Sequence, residues 1–229
     1  KHYFLLIYRN SFMLLLSRDK NKMKANNSDN QLKENLREYI PEAFVSYVYD
    51  LLIATNVKFR IVRPRKTKLG DFRISTKQFG APQITINNDL NPYAFLITTL
   101  HEIAHLHTYL SYNVGVKAHG KEWKFEFQRL LHPLLSAREV PEELKTCLKN
   151  TIKNTRAASY SDIALSRVLR KFDAQKKGVP LEQIDPGAQF ELNKKSFKKG
   201  KLRRTRYLCS ELHTGKAYLI HALAEVNSK

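Results

Sequence analysis

Only two cysteines, Cys147 and Cys209, occur in 229 residues. They cannot build a disulfide framework and suit a reducing cytosol, so a cytoplasmic, nucleoid-compatible location is expected. Glycine and proline, eight each, are too few for a collagen-like or low-complexity chain. Long apolar runs are missing too. "FLLIY" and "FMLLL" near the amino end are short and are split by Arg9 and Asn10. No small-residue cleavage site follows, and neither run approaches the roughly 20 residues of a membrane span. Neither a signal peptide nor a membrane partner is expected. Met23 opens a polar lead-in, "MKANNSDN", and residues 1–28 are expected to lie outside the fold.

Acid is the other shortage. Against 40 Lys and Arg stand 21 Asp and Glu, a formal charge of +19. That balance favours a polyanionic partner, nucleic acid ahead of anionic membrane. The 42% hydrophobic content is that of a globular protein, and the length suffices for a substantial core.

Apolar spacing is helical from Gln31 to Tyr39, and Pro41 opens a second helix. "VKFRIVRP", "DFRIS" and "QITIN" read as strands, with a basic turn around Gly70. Asn91 and Pro92 start a long helix that Asn113 and Gly115 end. Two further helices follow, then "SDIALSRVLRKF", capped by Ser161. After Pro180 the chain turns to β-like runs. The expected class is α+β: residues 29–155 form a helical domain with a small antiparallel sheet, and residues 156–229 form a basic helix-plus-β subdomain.

The long helix carries His101, Glu102 and His105, spelling H-E-x-x-H. Residues four apart on a helix differ by about 40° in azimuth and about 6 Å in height. Two imidazoles so placed can converge on one tetrahedral zinc, with Glu102 in reach of the open position as general base. The chain's composition predicts roughly 0.02 accidental matches. A third protein ligand is required. The metzincin pattern fails, since Thr108 and Ser111 stand where Gly and His are needed. Glu126 would give a thermolysin-like site. His119, followed by Gly120, which permits close backbone approach, is the softer ligand and is preferred over Glu126. His107 faces elsewhere and reads as a packing or surface residue.

"HEIAH" followed by "HGKEW" resembles the SprT-like metalloprotease family over roughly residues 30–135, and "RRTRYLCSE…GKAYLI" resembles the tail of its bacterial members. The resemblance implies a minimal zincin-type fold, one catalytic Zn2+ on His101, His105 and His119, and Glu102 as base. From eukaryotic members it implies cleavage of proteins attached or crosslinked to DNA. Many members carry a cysteine zinc ribbon after the protease domain. Here Cys209 has Leu212 where a partner cysteine would stand, so no second zinc is expected. Tyr207, Tyr218, Leu219 and Ile220 are expected to hold the tail together instead.

The stretch "KKSFKKGKLRRTR" holds Lys194, Lys195, Lys198, Lys199, Lys201, Arg203, Arg204 and Arg206 without an acid. With Phe197 and Tyr207 as stacking faces, it is the expected DNA-binding run, single strands favoured. "KFRIVRPRKTK" could extend it. "QITIN" is either a substrate-pairing edge strand or an internal one. Trp123, Phe125 and Phe127 are expected as core behind His119, and Tyr109 and Tyr112 are merely nearby. The expected function is a zinc endopeptidase acting on DNA-associated proteins, without a small-molecule cofactor. The competing reading is a basic nucleic-acid-binding protein with a structural or silent zinc site.

Overall fold

The computed structural model describes residues 31–65, 67–75, 80–112, 115–153, 163–174 and 178–228. The expected extension over 1–28, the Asn113 stop and the Ser161 cap lie outside the described residues. The class is α+β, with six α-helices among the described residues. The chain divides into two compact units, Lys1–Thr155 and Arg156–Lys229. No described helix is long and apolar enough to cross a membrane.

In the first unit, residues 31–37 form α1. Pro41, with φ −58°, leads into a 3-10 turn, Glu42–Phe44, and then α2, Val45–Ala54. Val45, Val48 and Leu52 are its buried side chains, at the spacing that puts one helical face inward. Asn56, at φ +48°, turns the chain into β1, Lys58–Val62. β2, Gly70–Arg73, and β3, Gln83–Asn87, complete a sheet of order β1-β3-β2.

β2 is antiparallel to β3, as expected, whereas β1 is parallel to it. "QITIN" is therefore the central strand, and its last four residues are buried. The edge beside the long helix is β2. Arg65 is drawn inside: its Nε donates to Asn87 Oδ1 at 2.8 Å and its Nη1 to Thr85 Oγ1 at 2.9 Å. That satisfies two buried polar side chains of β3 and withdraws Arg65 from the expected basic surface.

The long helix, α3, spans Pro92–Tyr112. Asn91 caps it, Oδ1 accepting from Ala94 N–H at 2.9 Å, and Pro92 occupies the first position, where no amide is needed. Thirteen of its side chains are buried, among them Thr98, Thr99 and Thr108. Each of these hydroxyls donates to the carbonyl four residues back, which lets a polar group sit in the core. α3 packs on β2, β3 and α4, Lys121–Ser136; α4 in turn packs on α5, Glu142–Lys153.

The second unit holds α6, Ile163–Leu169, and seven strands: β4, Val179–Pro180; β5, Gln189–Leu192; β6, Lys195–Lys198; β7, Leu202–Arg203; β8, Arg206–Glu211; β9, Ala217–His221; and β10, Glu225–Ser228. They run in the order β4-β10-β5-β6-β8-β7, with β9 on β8. Leu181, Ile184, Phe190, Phe197, Cys209, Ile220 and Val226 form the core, with Tyr207 packed against it. Ile220 and Tyr207 thus act as expected, but Tyr218 and Leu219 are exposed.

Glu211 is buried and fully engaged. It accepts from Thr214 Oγ1 at 2.6 Å and from Tyr218 OH at 3.2 Å, and pairs with Lys195 Nζ at 2.9 Å. The Thr214 hydroxyl first, then Lys195, hold its carboxyl down at about 2. A carboxyl whose folded pKa lies below its unfolded value near 4.5 stabilises the fold above that pH, and the stabilisation fades as pH falls toward 2. Glu211→Gln is expected to lower the melting temperature at pH 7 and to flatten the acid limb between about pH 4.5 and 2. Calorimetry across that range checks it; an unaltered acid limb refutes it.

Candidate metal centre

Helical spacing brings His101 and His105 to one side of α3, and the loop after the helix returns His119 to them. Their Nε2 atoms lie 3.2, 3.0 and 3.1 Å apart. Three neutral imidazoles cannot satisfy three such contacts with hydrogen bonds, because each Nε2 is either a donor or an acceptor. At least one pair must set like groups, two N–H or two lone pairs, against each other, and a shared cation on three lone pairs relieves this. Nitrogens at about 2.05 Å from a tetrahedral zinc stand about 3.3 Å apart, close to the observed triangle. The three residues can hold a metal ion, and among the described residues no fourth His, Cys, Asp or Glu joins them.

Burial favours the ligand form. Loss of hydration, then the neighbouring imidazoles, push His101 down to about 2, and the same effects, with His119 as neighbour, push His105 down to about 4. Burial also lowers His119. All three are neutral at physiological pH and offer lone pairs. His119 stands at φ +57°, a left-handed conformation uncommon outside glycine. Gly120 fits close behind: a Cβ there would lie 2.8 Å from Lys117 O. The loop thus holds strain where it presents a side chain to the centre.

One wall is Trp123, which is 1% exposed. Its ring centroid is 4.7 Å from that of His101, 4.6 Å from His119 and 5.3 Å from His105, and it stacks on Phe127 at 4.9 Å. Phe125, expected beside them, is exposed, since it lies on the opposite face of α4. The facing wall is β2, where Phe72 stacks parallel to His105 at 6.4 Å and lies 6.2 Å from Tyr109. Tyr112 is exposed.

Glu102 is buried between α3 and β2. Burial, reinforced by the Asp71 carboxylate, pushes its pKa up to about 7, while Arg65, the Phe72 backbone amide and Lys68 pull it back. Gly70 makes this position available. A Cβ on Gly70 would meet Glu102 Oε1 at 2.5 Å, Glu102 Cγ at 2.8 Å and Thr98 Cγ2 at 2.8 Å. The sequence flagged Gly70 only as a turn residue, and Phe72 only as part of a strand. Gly70→Ala is expected to cost about 1–3 kcal/mol through overpacking and to displace Glu102. Thermal unfolding together with peptidase assay checks this, and wild-type behaviour in both would refute it.

Glu126 does not reach the histidine triangle. It bonds Arg129 at 2.7 Å and lies 3.4 Å from His107 Nδ1, which itself accepts from Arg129 Nη2 at 2.8 Å. His107 is half-buried, as a packing residue.

The basic run is split. Lys194, Lys198, Lys201, Arg203, Arg204 and Arg206 are exposed, and Lys195 is exposed but paired with Glu211. Lys199 is a correction. It is 4% exposed, donates to the carbonyls of Glu182 and Ile184, and sits 4.2 Å over the Tyr207 ring. Its charge serves the 3-10 turn Leu181–Gln183 instead of a phosphate. Phe197 is a second correction, because it stacks on Phe190 in the core and has no face for a base.

No curated protein and no solved structure matches the chain. Residues 42–145, the segment that carries the histidine triangle and Glu102, match the model of the SprT-like family, a similarity that points to a metalloprotease-type function.

Proposed function

We propose that the chain is a zinc-dependent endopeptidase of minimal zincin type that acts on proteins bound or crosslinked to DNA. The observation that carries the peptidase reading is the pairing of an Nε2 triangle, open to a fourth ligand, with a buried carboxylate one residue from His101. A structural zinc would fill its fourth position with protein, and the donor set supplies none among the described residues. The donors suit zinc, which when bound would polarise a peptide carbonyl and acidify water.

The chain's own residues account for the rest. His101, His105 and His119 would hold the ion, with Trp123 packed against all three rings. Glu102 has a basicity matched to neutral pH, takes the proton of the attacking water and returns it to the leaving amine. Gly70 and the Phe72 amide fix the carboxylate. Among the described residues β2 pairs only with β3, and this edge beside Glu102 is suited to reading substrate backbone with little side-chain selection.

The charge of +19 and the exposed cations of the second unit support the DNA part. Lys194, Lys198, Lys201 and Arg204 replace the expected set that included Lys199. Neutralising about four phosphates gives a slope of log K against log salt near −2.8 on single strands and −3.6 on duplex. DNA is expected to accelerate cleavage of a DNA-binding protein by raising its effective concentration. Changing the four residues to Gln should remove the acceleration and spare the zinc. A peptidase rate indifferent to DNA would sink this part and leave the peptidase reading intact.

A further inference from the structure

The three-stranded sheet of the first unit has two faces, and the metal centre uses one of them. Gly70 and Phe72 point to α3, toward Glu102 and His105. Side chains alternate along a strand, so Asp71 and Arg73 point to the opposite, outer face. The strand register carries that face across the sheet. Arg73, Gln83 and Lys58 form one row, and Asp71, Thr85 and Arg60 form the next. α3 packs on the other side, against β2 and β3.

Charge on the outer face is one-sided. Lys58, Arg60 and Arg73 are exposed. Asp71 is the one acid in these rows, and it is already shared: Oδ1 pairs with Lys68 Nζ at 2.6 Å and Oδ2 with Arg73 Nε at 2.6 Å. Arg65 lies over the far end, where it donates to Asn87 and Thr85. The side chains of Lys58 and Arg60 have no ion pair among the described residues. Uncompensated like charge works against the compact state, and a bound polyanion relieves it. The two rows hold no aromatic and no apolar side chain. Val62, the next residue of the same parity on β1, is half-buried.

We infer that this outer face binds the phosphate backbone of a DNA duplex. Phosphate contacts need only cations and polar side chains, which is what the two rows supply. A protein partner would need apolar or aromatic anchors, and a membrane surface would take apolar side chains into its boundary. The bases of a single strand would need stacking faces. The rows offer none of these. Lys58 and Arg73 stand two strand spacings apart, about 10 Å, so their long side chains meet separate phosphates. Glu102 lies on the far side of β2, so a duplex held here leaves the metal centre uncovered. The inference deepens the DNA part of the proposed function: it takes DNA from that reading, adds a surface in the first unit, and does not depend on peptidase activity.

The test uses the full chain and a short fluorescein-labelled duplex, with anisotropy followed across a salt titration. In the unaltered protein the duplex should shield Lys58 from an amine-acylating reagent, while exposed Lys149 on α5 stays reactive. That arm needs no variant, so misfolding cannot imitate it. Lys58→Gln with Arg60→Gln should weaken duplex binding at least tenfold and reduce the slope of log K against log salt by about 1.8. Lys58→Arg with Arg60→Lys keeps the charge and should restore both. Changing Lys194, Lys198, Lys201 and Arg204 to Gln should leave the Lys58 shielding in place. Unshielded Lys58, or affinity and slope untouched by the double Gln variant, would overturn the inference and leave the role of the second unit standing. Equal shielding by single strands, phosphatidylserine vesicles or polyglutamate would overturn it too. A peptidase rate indifferent to DNA, by contrast, would sink the earlier reading while the Lys58 shielding persists.

Discussion

Glu102→Gln is expected to cut peptidase activity by about 10²–10⁴-fold, the usual contribution of a positioned base, while metal content stays at the parent level. Glutamine matches the shape of glutamate, so it can occupy the space that Gly70 leaves. Its carbonyl can still accept from the Phe72 amide, which touches the carboxylate in the parent. It cannot take a proton from water near neutral pH. It also places no neutral donor in the histidine triangle, where all three Nε2 positions come from His101, His105 and His119. Stability should not fall, because burial already disfavours the ionised glutamate. Metal analysis, calorimetry and single-turnover proteolysis separate the outcomes. Loss of zinc would make Glu102 a ligand, and unchanged cleavage would remove it from the chemistry.

Local physics explains which parts of this site were legible in the sequence. His101 and His105 are a helical turn apart, so their convergence follows from the period of α3, whose cap at Asn91 and Pro92 is equally local. His119 could be singled out because a His-Gly pair follows a helix end. Its left-handed backbone could not, since the strain is held by the turn from Lys117 to Gly120 and by the His119 ring against Trp123. Gly70 and Phe72 lie about thirty residues before Glu102, and only the packing of β2 on α3 brings them there.

The basic run misled for a related reason. Its charges hide a period of two, in which Phe197 points inward between Ser196 and Lys198. Lys199 then turns inward because the carbonyls of Glu182 and Ile184 need a donor, and nothing near residue 199 in sequence signals that. β6 and β7 were missed in the same way, and the placement of "QITIN" at the centre of its sheet depends on a parallel partner, β1, that a single strand cannot reveal.

His119→Ala is expected to abolish stoichiometric zinc binding, and Glu126→Ala to leave it intact. Two imidazoles from one helix remain in the first variant, without the third nitrogen that closes the triangle. Stabilisation by zinc scales as RT ln(1 + [Zn]/Kd), about 4.1 kcal/mol at a thousandfold excess over Kd. The rise in melting temperature on adding zinc to chelator-treated protein should therefore vanish. Glu126→Ala should lower stability with and without zinc alike, by about 1–3 kcal/mol, because it strips a partner from Arg129 beside half-buried His107. The zinc-induced shift should survive. A third variant separates ligand loss from backbone strain. At φ +57° glycine is at ease where alanine is not, so in chelator His119→Gly should melt above His119→Ala while binding zinc no better. Zinc retained by His119→Ala and lost by Glu126→Ala would transfer the third ligand to α4, and with it the geometry of the whole centre.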